Sequence, residues 1–136
     1  MKLSITLSSL TLCAVALADT VSFDTVYDQA SQSLATVSCS DGANGLLTKG
    51  FTTFGSLPSF PFIGGAAAVA GFNSAACGTC WSLTFNGTTI NVLAIDHSTG
   101  FNIAEEAMNN LTNGNAVAFG RIDATAQQVN ASLCGL

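Results

Sequence analysis

Cys77 and Cys80, separated only by Gly78 and Thr79, put two reactive sulfurs on one short stretch, with Trp81 directly after them. Such a pair serves a redox centre, half of a metal site, or the anchors of a disulfide scaffold. A redox pair needs its first cysteine at a helix N-terminus, where exposed amides lower the thiol pKa. Here Trp81-Ser82-Leu83-Thr84-Phe85 alternates large apolar with polar residues, the period of a strand. A zinc site needs a second close pair, and Cys39 and Cys134 stand alone, far off on either side. Two structural disulfides are therefore predicted, with no metal and no cofactor. Four cysteines allow three pairings, and spacing does not choose among them. Each bridge closing a loop of this size contributes about 4 kcal/mol through the unfolded chain.

The start of the chain supplies the compartment those bridges require. Met1-Lys2 is a short basic head, Leu3 to Leu17 is largely apolar, and Ala16-Leu17-Ala18 has the small-x-small form of a signal cleavage site. Residues 1–18 read as a secretory signal peptide, too short and too broken by Ser and Thr to span a membrane. Its removal takes away the fifth cysteine, Cys13, and leaves one domain at 19–136, secreted and extracellular. Losing Lys2 moves the formal charge from −5 to −6, with Lys49 and Arg121 as the remaining strong bases. That excludes nucleic acid and anionic membranes as partners, since both require clustered cations.

Along the exported chain the pattern is mostly β. Val21 to Asp24 with Val26-Tyr27 predicts an opening strand, Leu34 to Ser38 and Leu46 to Thr48 two short ones. Residues 50–65 hold both prolines, four glycines and four phenylalanines, an ordered loop with aromatic anchors. Asn86-Gly87 predicts a hairpin between Trp81–Phe85 and Thr89–Ile95, whose run INVLAI suits a central strand. Asn102 as N-cap, Glu105 as capping-box partner and Ile103, Ala107 and Leu111 on one stripe predict a helix. Val117 to Phe119 and Arg121-Ile122 resume strand, and a last extended piece precedes Cys134. Many short strands with one helix mean a small barrel or sandwich.

The segments VSFDTVYD, CSDGANGLLTKGFTTFGSLPSFPFIGG, AGFNSAACGTCW, INVLAIDHSTGFNIAEEAMNNLT, VAFGRIDATAQQV and the closing CGL occur in one order across the exported chain. Together they resemble the cerato-platanin family of secreted fungal proteins. The resemblance implies a fold that is mainly β with one or two short helices, a disulfide-stabilised, six-stranded double-psi β-barrel like the first domain of expansins. It also implies bridges Cys39–Cys77 and Cys80–Cys134. For function it implies cell-wall association, binding of chitin or N-acetylglucosamine oligomers in a shallow groove, expansin-like loosening without hydrolysis, self-assembly at surfaces, and recognition by plants as a defence elicitor. Two positions depart from the family pattern. Phe72 stands where many members have Trp, keeping an apolar face but losing the indole donor, and a single Gly100 shortens the loop after Asp96.

Asp96 is the sharpest candidate for chemistry. A charge ending an apolar strand either satisfies nearby amides or faces a groove, and the resemblance favours the groove. It adds Asn102, Thr48, Lys49 and Trp81 as carbohydrate-binding residues. Asn102 also suits a helix cap, and Trp81 also suits packing on a disulfide. Hydrolysis needs two carboxylates flanking the bond, and neither Asp41 in its turn, Glu105, Glu106 nor Asp123 stands out as partner. His97 reads as a solvated loop residue. Asn86, Asn110 and Asn130 begin sequons, with Asn86 at the hairpin tip the most accessible. The reading is thus a non-enzymatic glycan binder. Its alternative is a surface-active, self-assembling protein, motivated by a charged fraction of 8% and the phenylalanine-rich loop.

Overall fold

The hairpin is the most local event in the chain, and it forms as the Asn-Gly pair demands. Both turn residues have positive φ, 46° at Asn86 and 78° at Gly87, which matches the right-handed twist of the flanking strands. In the computed structural model, which describes residues 18–136, the elements run β1 (Ala18–Phe23), β2 (Ile63–Ala66), β3 (Cys80–Phe85), β4 (Thr88–His97), β5 (Phe101–Ile103), α1 (Glu105–Thr112), α2 (Ala116–Phe119) and β6 (Arg121–Val129). The signal predicted before them lies, apart from Ala18, outside the described residues.

The six strands close into a barrel in the order β1-β5-β2-β4-β3-β6. β1 with β5 and β2 with β4 are parallel; the other four pairings are antiparallel. β4 is flanked on both sides by strands, as every strand of a closed barrel is, and Val92, Leu93, Ala94 and Ile95 are all buried, as its apolar run predicts. Val21, Ile63, Leu83, Leu93, Ile95 and Ile103 fill the core, each side chain contributing about 1.5–3 kcal/mol of burial. The bridges Cys39–Cys77 and Cys80–Cys134 are both formed. The double-psi barrel is the architecture that the resemblance implies.

Several predicted elements take other forms, each for a local reason. Val26-Tyr27 is not strand, because Asp24 Oδ1 accepts from the Val26 amide at 2.9 Å and winds Thr25–Asp28 into a 3-10 turn. Leu34–Thr36 is likewise 3-10, with Ser33 Oγ accepting from the Ala35 amide; short polar side chains bond locally and compete with a ladder. Leu46 to Thr48 is turn, since the Leu46 and Leu47 amides return to the carbonyls of Cys39 and Ser40. Val117 to Phe119 belongs to α2, whose first amide, on Ala116, donates to Asn109 Oδ1 and which ends at Gly120, φ 66°. The piece before Cys134 is 3-10 from Ala131, capped by Asn130.

Two corrections bear on the site. α1 begins at Glu105 and not after Asn102, which lies in β5. Its leading amides, on Glu105 and Glu106, donate to Asp28 at 2.8 and 3.0 Å, so a residue 77 positions away replaces the predicted capping box. β2 lies inside the stretch read as loop. Gly64 and Gly65 look like turn residues in sequence, yet a Cβ at Gly64 would fall 2.3 Å from the Asn102 carbonyl, so glycine is what lets β2 and β5 approach. The rest of the 50–65 segment is ordered, with Phe54 buried and Phe51, Phe60 and Phe62 packed against the core.

Candidate functional site

The carboxylate of Asp96 sits at the end of β4, half-buried. Its backbone position follows from the apolar run before it, which is held on both sides by β2 and β3. Oδ1 accepts from the amides of Ser38 at 3.0 Å and His97 at 2.9 Å, and Oδ2 accepts from the Tyr27 hydroxyl at 3.2 Å. An ionised carboxylate offers about four acceptor positions, so three donors leave one side of the group for another partner. Its partners are two amides and a phenol. Burial first, then the charge of Asp96 and its hydrogen bond, push the Tyr27 phenol well above its ordinary pKa, so this hydroxyl remains a donor.

Asn102 shares a register row with Asp96. Gly65 on β2 pairs with Asp96 on one side and Asn102 on the other, and Asn102 pairs in turn with Ser22 of β1. Two strand spacings separate Asp96 from Asn102, about 10 Å. Ser22 Oγ donates to Asn102 Oδ1 at 3.2 Å, which orients the amide. Between them the 97–100 turn folds onto β2: a Cβ at Gly65 would meet Ser98 at 2.9 Å. The row is therefore two polar groups bracketing a turn. Asn102 is a strand residue on the barrel wall rather than the helix cap.

Thr48 and Lys49 come from the loop that Cys39 anchors to β4, the Cys39 amide donating to the Ile95 carbonyl. Thr48 Oγ1 donates to the Gly42 carbonyl at 2.6 Å, and Lys49 Nζ lies over Gly78, 3.0 Å from where a Cβ would stand. Both are exposed. The Ser38 amide ties the start of this loop to Asp96, whereas the hydroxyl of Thr48 bonds to Asp41 and Gly42 and the Lys49 ammonium lies near Gly78. Trp81 goes elsewhere: Nε1 donates to Thr79 Oγ1 at 2.8 Å, and the indole meets Phe101 edge-on at 5.6 Å, on the strand across the barrel. His97 is exposed but tethered, with Nδ1 2.6 Å from the Val69 carbonyl, so Nδ1 carries the proton.

Tyr27, Ser38 and Gly65 complete the surroundings of Asp96, and sequence reasoning passed over all three. Only Tyr27 carries a signal, as the single tyrosine of the chain next to an aspartate-rich segment. Asp41 accepts from the amide of Gly42 within its own turn, as a turn former does. Among the described residues no group of three or more His, Cys, Asp or Glu is arranged to hold a metal ion, and no helix is long and apolar enough to cross a membrane.

The description of the cerato-platanin family matches residues 19–136. A heat-stable 19 kDa antigen of Coccidioides immitis is 51% identical over 117 residues, covering 85% of this chain and 80% of that protein. The crystal structure of cerato-platanin 2 from M. perniciosa superposes with a TM-score of 0.83 at 54% identity, covering 88% of this chain and 99% of the other. More distantly, an expansin variant of Clavibacter michiganensis, in complex with cellohexaose, gives a TM-score of 0.58 at 19% identity, covering 83% of this chain and 50% of that one. The last likeness is one of fold.

Proposed function

The chain belongs to the cerato-platanin family, and from that premise we propose that it is a secreted protein that binds chitin or related N-acetylglucosamine oligomers and loosens wall polysaccharide without cleaving it. The observation that carries the reading is the register row at the end of the barrel, where the half-buried Asp96 carboxylate and the Asn102 amide face the same side of the sheet. A carboxylate accepts from sugar hydroxyls and an amide side chain both donates and accepts. Thr48 and Lys49 are exposed on the loop whose start, at the Ser38 amide, bonds Asp96. The cellohexaose held by the expansin of similar fold supports an extended glycan as the ligand class.

Loosening follows from differential affinity. A groove that holds a single strand better than the packed wall does shifts chains out of their lattice by mass action. Bond cleavage would require a second carboxylate across the bond. The hydrogen bonds of Asp96 go to amides and a phenol, and Asp28 is committed to the amides of α1. Of the 50–65 phenylalanines Phe54 is buried and Phe51, Phe60 and Phe62 are partly buried against the core, so the exposed apolar side chains that would serve the surface-active alternative are instead Phe72, Val117, Phe119 and Leu133. Recognition by plants as an elicitor rests on family membership.

The test is an amide NMR titration of the exported chain with a chitin oligomer, scored alongside new reducing ends. Asp96→Asn is the informative variant, because its remaining carbonyl oxygen still accepts from the Ser38 and His97 amides. Saturable shifts around Asp96 and Asn102 that weaken about tenfold or more in a folded Asp96→Asn protein, without new ends, support the reading; one charged hydrogen bond is worth about 1.5–3 kcal/mol. Shifts confined to other faces of the barrel sink it.

A further inference from the structure

At the other end of β4 from Asp96, the hairpin tip opens into a cavity of about 430 Å³. Phe85 and Phe119, edge to face at 6.1 Å, are part of its lining, and Asn86, Asn110, Asn113 and Thr88 are among the polar residues that share it. Phe119 is 49% exposed, unusual for a phenylalanine with an aromatic neighbour already in contact. An apolar ring face beside several neutral amides is the surface that a pyranose with an acetamido group fits, because its C–H face stacks on an aromatic while hydroxyls and the acetamide bond to the rim.

We propose that Asn86 is an N-glycosylation site whose first N-acetylglucosamine seats in this cavity against Phe85 and Phe119. Three features converge on it. Asn86-Gly87-Thr88 is a sequon held in a turn with positive φ at both central residues, and all three residues are exposed. The acceptor side chain itself lines the cavity that the sugar would occupy. The rival sequons are more committed: Asn110 Nδ2 donates to the Glu106 carbonyl while its Thr112 hydroxyl is buried and bonded to Met108, and Asn130 Oδ1 caps the 3-10 turn that carries Cys134.

The step consumes a lipid diphosphate-linked oligosaccharide. Asn86 Nδ2 forms a bond to C1 of N-acetylglucosamine, the C1–O bond to the diphosphate breaks with its electron pair leaving on oxygen, and one amide proton is lost to base. The attached sugar then meets Phe119 across the hairpin tip, so a modification on β3–β4 becomes a tether between the hairpin and α2.

Secretion of the full chain from a glycosylating yeast, followed by glycopeptide mass spectrometry, reads the site directly. Asn86 is expected to be occupied, with the modification lost in Thr88→Ala, which keeps the asparagine. Trimming the glycan to one N-acetylglucosamine then isolates the seated sugar. The trimmed protein is expected to melt roughly 3 °C above Thr88→Ala, and Phe119→Ala is expected to erase that difference. Folded, secreted protein with Asn86 bare overturns the proposal. An occupied Asn86 whose thermal increment survives Phe119→Ala overturns the seating in the cavity.

Discussion

At the scale of single residues, Asp96 and Tyr27 form a coupled pair: the phenol donates to the carboxylate, and burial first, then the charge of the carboxylate, keeps the phenol protonated. The folded pKa of Tyr27 is raised above the unfolded value of about 10, so the folded state binds the proton more tightly. The corresponding stability is fully present below that unfolded pKa and declines as alkaline titration proceeds above it. Because Tyr27 is the single tyrosine, its phenolate absorbance reports the titration without ambiguity. We expect a midpoint well above that of free tyrosine, with a fall in stability at alkaline pH that Tyr27→Phe makes shallower. A midpoint at the ordinary value removes the coupling. At neutral pH the same variant loses one charge-assisted hydrogen bond, about 1.5–3 kcal/mol on a denaturant curve.

At the scale of elements, α1 and β2 depend on residues distant in sequence. Asp28, at the end of a 3-10 turn, accepts from the leading amides of α1. Asp28→Ala should cost about 1–2 kcal/mol, with faster amide exchange at Glu105 and Glu106 as its local signature. Glu105→Ala, the change that a capping box would make costly, should cost less than Asp28→Ala. For β2, Gly64→Ala should cost about 3 kcal/mol through collision with the Asn102 carbonyl, and equilibrium unfolding measures it. The predicted hairpin, the buried apolar strand and the apolar stripe through Ala107 and Leu111 all rest on patterns within a few residues, and all are present. The predicted strands at Leu34 and Leu46 rested on short apolar runs, whose outcome was decided by where their amides found partners. Of the site, Asp96 was legible as a charge at the end of an apolar strand; Tyr27 and Ser38 were not, because their approach to it spans 69 and 58 positions.

At the scale of the whole molecule, both disulfides tie into the β3–β4 half of the barrel, one from the 39–49 loop and one from the C-terminal turn. Their sequence separations are 38 and 54 residues, which the loop-entropy relation converts to about 4 kcal/mol each. Paired Cys→Ser variants should therefore lose similar stability in denaturant titrations. They should differ in where amide protection falls: around Ser38 and Asp96 for the Cys39–Cys77 pair, around Val129 for Cys80–Cys134. Loss of glycan-induced shifts in the first variant and their retention in the second would place the 39–49 loop in the binding surface.

The chain by itself determined the alternation of its strands, the Asn-Gly hairpin and the low charge, because each depends on side-chain type at short spacing. Its family was also readable, since the order of those segments is itself a sequence property. Only the tertiary structure decided that Gly64 and Gly65 form a strand, that Asp28 caps α1, and that Asp96 and Asn102 stand on one row. Those outcomes follow from closing the barrel, which brings distant backbones within hydrogen-bonding reach and lets long-range partners override local preference.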